Sequence, residues 1–269
     1  MLHDGTQEAL LEKPGGAITK LQFNDGTSLD VKENEIVLFV GPNNAGKSQA
    51  LKDIYALSNE KIESSVVVRD ITLTKRAAPT IPFLKGIATM EDEGSYKIFT
   101  GMNGGCNSYH LDSFTEEYGY GAMRFLFVAY LSTLDRLTIC EPPRPVSRNE
   151  PKTHPIHYVM FESTYRKWLS ENFRKAFGKS LMLHWRFGEV IPLCIGEPVQ
   201  LEADYPDEDA RGEAYGEILN AYPQVQNQGD GIKSFVGILL YLMLDHFCTF
   251  LIDEPESFLH PPQAKIMGL

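Results

Sequence analysis

Apolar residues recur along this chain with two periods, and the switches between them mark its elements. Residues 18–23 and 28–31 read as strands on either side of Asn24-Asp25-Gly26-Thr27, a short-hairpin signal. Ile36-Val37-Leu38-Phe39-Val40 is a continuous apolar run, which predicts a strand buried on both faces. Residues 41–46 break it, and 47–57 follow as a helix with Ala50, Leu51, Ile54 and Leu57 on its apolar side. Residues 65–74 alternate as a strand does. Residues 101–109 form a Gly/Asn/Ser loop, and 124–131 are a further apolar run that ends in Ser132-Thr133-Leu134-Asp135-Arg136. Pro142, Pro143 and Pro145 predict a stiff connection. From 158 to 177, Phe161, Tyr165, Trp168, Leu169, Phe173 and Phe177 recur at helical spacing. Residues 232–247 read as a helix apolar on most faces, 248–252 as a second buried strand, and 261–269 as the first turns of a helix opened by Pro-Pro.

Charge and cysteine usage narrow the class. In 269 residues, 36 Asp+Glu against 25 Lys+Arg give a formal charge of -11, which disfavours non-specific coating of nucleic acid. Arg166, Lys167, Arg174 and Lys175 form one basic helix face; a solvated surface is the plain reading, and a surface for DNA or a partner protein is the alternative. Residues 201–218 reverse the sign: Glu202, Asp204, Asp207, Glu208, Asp209, Glu213 and Glu217 stand against Arg211, as in a solvated loop and helix start. The four cysteines have no C-x-x-C spacing, so a reduced, cytoplasmic setting is expected. Residues 1–13 carry Asp4, Glu8 and Glu12 and no apolar run, unlike a signal peptide. The apolar stretch 235–244 is half a membrane span, so no membrane partner is expected.

Gly41-Pro42-Asn43-Asn44-Ala45-Gly46-Lys47-Ser48 matches G-x-x-x-x-G-K-[ST] in full, a coincidence expected about once in a hundred chains this long. Glycines let the backbone wrap closely, so that successive N–H groups and a helix N-terminus face one anion. The phosphate-binding set is therefore Asn43, Asn44, Ala45, Gly46, Lys47, Ser48 and Gln49. Lys47 would neutralise β- and γ-phosphate charge, and the Ser48 hydroxyl would ligate Mg²⁺. Gly104-Gly105 lacks a following helix pattern and reads as an ordinary turn. The strand at 248–252 delivers Asp253 and Glu254 at its carboxyl end. Asp253 would hold Mg²⁺ through water, and Glu254 would take a proton from the water that attacks the γ-phosphate.

The phosphate loop, together with Leu251-Ile252-Asp253-Glu254-Pro255-Glu256-Ser257-Phe258-Leu259-His260-Pro261, resembles the ABC-type ATPase heads of the SMC, RecF and OLD-like group, which bacterial genome-maintenance and phage-defence proteins carry. The resemblance lies in residues 36–58 and 229–262. It implies an α/β P-loop fold of ABC type: a mainly parallel core sheet, an N-terminal antiparallel β portion and a helical lobe. Residues 1–60 and 225–269 would form a discontinuous nucleotide-binding core, with 61–224 as a β/helical insertion. Two heads of this kind sandwich two ATPs, each nucleotide meeting one protomer's phosphate loop and the other's signature motif. The signature candidate is Gln228-Gly229-Asp230-Gly231 at a helix start; Gly229 stands where transporters have a serine, as in the OLD-like branch.

Two other family features have no plain counterpart. No glutamine lies between Gln49 and Gln200, so Asp135 or Arg136 would take that residue's place at a strand end, or simply form a structural ion pair. His260 is too close to Glu254 to be the switch histidine and fits the loop that contacts an opposing head. The sheet of such a head needs further strands, so the resemblance implies a longer protein that continues past Leu269. The function implied is ATP binding and hydrolysis by a homodimer or higher homo-oligomer controlling a DNA-acting or nuclease partner. A nucleotide-dependent scaffold without turnover is the alternative, and a P-loop kinase a third reading.

Overall fold

The computed structural model describes residues 13–150, 152–201, 206–259 and 261–266, and its helices and several sheets make a mixed α/β protein. The N-terminal dozen residues, Glu202, Asp204, His260 and the last residues of the expected C-terminal helix lie outside the described residues. The chain divides into two units, Met1–Ala129 with His246–Thr249 and Tyr130–Asp245 with Phe250–Leu269.

The first unit opens with β1 (Gly16–Phe23) and β2 (Ser28–Asp30), an antiparallel hairpin in register Leu21 to Leu29. Gly26 takes φ +89 in its turn, and the Asp25 carboxylate accepts from the Thr27 amide at 2.8 Å, so the expected turn forms from the expected residues. Helix α1 (Lys47–Leu57) leads to β3 (Val68–Lys75), which pairs with the other edge of β1. Beyond these come α2 (Ile81–Ile87) and an antiparallel meander of β4 (Thr89–Asp92), β5 (Lys97–Gly101) and β6 (Gly104–Asn107). Helices α3 (Tyr109–Ser113) and α4 (Arg124–Phe127) run into β7 (Val128–Leu131). Phe114, Tyr120 and Phe127 are fully buried with ring centroids 5.0–6.3 Å apart, and the Arg124 guanidinium lies 3.9 Å over the Tyr55 ring while donating to the Tyr55 carbonyl.

Two expectations fail in this unit, and a third stretch is more finely divided than its apolar run showed. Residues 36–40 form no strand: Ile36, Leu38 and Val40 are 72%, 56% and 87% exposed, and Phe39 meets Phe23 edge-on at 6.5 Å. A strand needs a ladder partner, and both edges of β1 are already taken by β2 and β3. Residues 101–109 are a hairpin turn, β6 and the start of α3 rather than a loop. Gly104 and Gly105 are required there by packing, since side chains would press on the Phe125 ring and the Phe99 carbonyl. Residues 124–127 are helical, and the strand within that apolar run is β7 alone.

In the second unit, α5 (Thr133–Thr138) follows β7, then α6 (Pro155–Phe161) and α7 (Ser163–Phe177). The single helix expected over 158–177 is broken by Glu162, whose backbone is extended; Arg166 donates to the Val159 and Met160 carbonyls, closing the end of α6. Strands β8 (Ser180–Leu183) and β9 (Leu193–Gly196) form an antiparallel pair, and α8 (Glu208–Asn220) carries the acidic block, part of it paired to Arg186. Helix α9 (Asp230–Leu242) is the buried centre, with Phe235 against Phe173 and Phe177. It stops five residues before the expected end. Strand β10 (Thr249–Ile252) and α10 (Pro261–Ile266) complete the described chain.

Strands β7 and β10 pair in parallel: Cys248 N–H donates to the Phe127 carbonyl and Asp253 N–H to that of Leu131. Every other sheet pairing among the described residues is antiparallel. The antiparallel N-terminal β portion is therefore present, whereas a mainly parallel core sheet is not among these pairings. Of β10, Leu251 alone is fully buried. No helix among the described residues is long and apolar enough to cross a membrane.

Candidate phosphate-binding and acidic sites

The phosphate-loop sequence folds, within the first unit, into an open turn that ends in a helix. Gly41, Asn44 and Gly46 have φ +159, +65 and +88, and Gly46 is the N-cap of α1. A side chain at Gly46 would be strained at that φ and would lie 3.1 Å from Val67. Ala45 N–H donates to the Pro42 carbonyl, but no described residue accepts from the amides of Asn43, Asn44, Gly46 or Lys47. These exposed or half-buried donors, together with the positive end of α1, are what an anion requires. The Lys47 ammonium folds back onto the carbonyls of Gly41 and Pro42, 2.9 Å from each. Ser48 and Gln49 lie half-buried in the first turn of α1.

Asp53, which the sequence analysis passed over, anchors this helix. It is 3% exposed; one oxygen accepts from the Val66, Val67 and Val68 amides at 3.1, 2.6 and 3.0 Å, and the other from the Gln49 side chain at 2.8 Å. A carboxylate beside Ile54 on the apolar stripe of α1 was the signal: only a fully paired one is tolerated there.

The acidic pair belongs to the second unit. Asp253 continues the β7–β10 ladder, and Glu254 leaves it with φ +46. The Glu254 carbonyl accepts from Arg136 Nη2 at 3.0 Å and from Ser257 N–H at 2.9 Å, while the Ser257 hydroxyl donates to Glu254 Oε2 at 3.0 Å. Phe258, half exposed, is also left-handed at φ +68. Two such backbones in five residues cost roughly 1–2 kcal/mol each, so tertiary contacts must hold the turn. Burial, then the charges of Asp253 and Asp135, raise the Tyr130 phenol above its usual range.

The signature candidate meets this turn. Gly229 is the N-cap of α9, Asp230 pairs with Lys233 at 3.2 Å, and a Cβ on Gly231 would lie 2.6 Å from the Phe258 carbonyl. The buried Ser234 hydroxyl donates to the Ser257 carbonyl. Gly231 and Ser234 thus pack against the segment that follows Asp253 and Glu254, while Gly229 and Asp230 are exposed.

Asp135 and Arg136 do not end a strand as expected, because β7 stops at Leu131 and a capping box starts α5: Ser132 Oγ accepts from Asp135 N–H, and the Asp135 carboxylate accepts from Ser132 N–H and Oγ–H. That commits Asp135 to the cap. Arg136 is fully buried. No cluster of three or more His, Cys, Asp or Glu side chains suited to a metal occurs among the described residues. No protein-family model matches the chain, and no curated protein matches it either.

Proposed function

We propose that this protein is an ATP-binding and hydrolysing ABC-type head of the SMC/RecF/OLD-like kind, with a P-loop core completed by a mainly parallel sheet. The observation that carries the reading is the complete phosphate-loop sequence, with its left-handed Gly41, Asn44 and Gly46 and its undirected amides at the start of α1. In this reading the amides of residues 43–48 bind the triphosphate, and Lys47 leaves the Gly41 and Pro42 carbonyls for phosphate oxygens. Ser48 and Asp253 hold magnesium, which when bound neutralises phosphate charge. Glu254 orients the attacking water and takes its proton. Gly229, Asp230 and Gly231 present helix-start amides to nucleotide held by a second copy. Nucleotide-dependent dimerisation then controls a DNA-acting or nuclease partner in defence or DNA maintenance.

Calorimetry and steady-state hydrolysis test this on the full chain. Glu254→Gln should lower turnover by at least about a hundredfold, as expected for loss of a general base, while ATP binding and ATP-dependent dimerisation persist. Equal inertness of wild type and variant, with both assembling on ATP, selects the scaffold; transfer of phosphate to a small acceptor selects a kinase. Absence of any heat on titrating ATP into folded protein refutes the reading.

A further inference from the structure

Arg136 is the buried cation of the second unit's acidic turn. Its side chain, 0% exposed, reaches the Glu254 carbonyl across 118 residues of sequence, with Thr133 Oγ1 as a second, longer contact at 3.4 Å. Its Nε and Nη1 have no hydrogen-bond partner among the described residues. Burying a guanidinium with two idle donors is costly, and an apolar side chain of the same volume would avoid that cost. A purely structural strut is therefore an expensive use of the position. The compensating charges are all acidic and all on one segment: burial lowers the Arg136 pKa, and Asp253, Glu256 and Glu254 oppose that shift. The backbone is fixed too. Gly237 of α9 lies so close that a Cβ would overlap the Arg136 carbonyl oxygen, and the Ser132–Asp135 box sets the start of α5.

From this geometry we infer that Arg136 is a positioning residue for Glu254. It holds the left-handed Glu254 peptide by its carbonyl, and so fixes where the exposed carboxylate points. The inference rests on the ATPase reading and adds to it the group that aims the base. Ser257 secures the carboxylate itself, and Arg136 secures the backbone beneath it.

The test compares wild type, Arg136→Lys and Arg136→Met as full chains, by ATP calorimetry, steady-state kinetics and thermal unfolding. The Met variant should lose about a hundredfold in kcat and the Lys variant roughly tenfold, with ATP affinity within about twofold of wild type. If Met fails to fold, the Lys variant still decides, since it keeps the charge and loses the fork. Unchanged kcat in the variants of an active wild type overturns the Arg136 assignment alone. So does a joint fall of kcat, affinity and melting temperature in both variants. A wild type that binds no ATP overturns the ATPase reading and this assignment with it. One that binds without turnover leaves no base to aim and overturns the assignment while sparing nucleotide binding.

Discussion

The phosphate loop and the acidic turn are both short, glycine-associated segments, yet they are held in opposite ways. The loop takes its shape from residues within it: Gly41, Asn44 and Gly46 supply the left-handed conformations, and Lys47 ties off the first carbonyls. Its anchor, Asp53, lies six residues beyond Lys47. The acidic turn asks the same left-handed conformation of Glu254 and Phe258, which resist it, and obtains it from Arg136 and α9 far away in sequence. A motif that carries its own geometry can be read from sequence; one that borrows its geometry from elsewhere cannot.

Three substitutions test that contrast, beginning with the largest effect. Asp53→Ala strands the amides of Val66, Val67 and Val68 and should cost about 3 kcal/mol in chemical denaturation. A loss below about 1 kcal/mol would mean that the loop needs no such anchor. Gly237→Ala drives a methyl into the Arg136 backbone and should cost roughly 2 kcal/mol. In the proposed ATPase reading it should also slow hydrolysis by displacing α5, and a lower turnover with unaltered ATP affinity would locate the dependence in the acidic turn. Val40→Thr, at a position 87% exposed, should change stability by less than about 0.5 kcal/mol. A cost several times larger in thermal unfolding would show residues 36–40 to be buried in solution, and the loop to be less self-sufficient than described.

Much of the first unit was legible because its signals are local. The Asn24–Thr27 turn, the phosphate loop and both ends of α1 fall where turn chemistry and helical periodicity place them. Residues 36–40 were misread for a physical reason: five consecutive apolar residues state a preference for burial but do not supply the neighbouring strand that would provide it. Residues 101–109 were read as a loop around a Gly104-Gly105 turn, and β6 was missed because glycines required by the Phe125 ring and the Phe99 carbonyl look the same in sequence as glycines of a loop. In the second unit the order of elements was visible and their limits were not. Glu162 breaks a helical pattern that has no proline or glycine to announce the break. Arg136 could be singled out by its place near the expected strand end, but its pairing with the Glu254 carbonyl required the packing of α5 on α9.

The uncovered run at 36–40 also bears on how the molecule behaves in company. Its exposed Ile36, Leu38 and Val40 offer other copies a surface with the composition of an aggregating segment, and Asp30, Lys32, Glu33 and Glu35 lie just before it as gatekeepers. With a formal charge of -11 on each chain, mutual repulsion is the force opposing that adhesion, and dissolved ions weaken it. Dilute, low-salt solution is therefore the condition in which the protein stays dispersed.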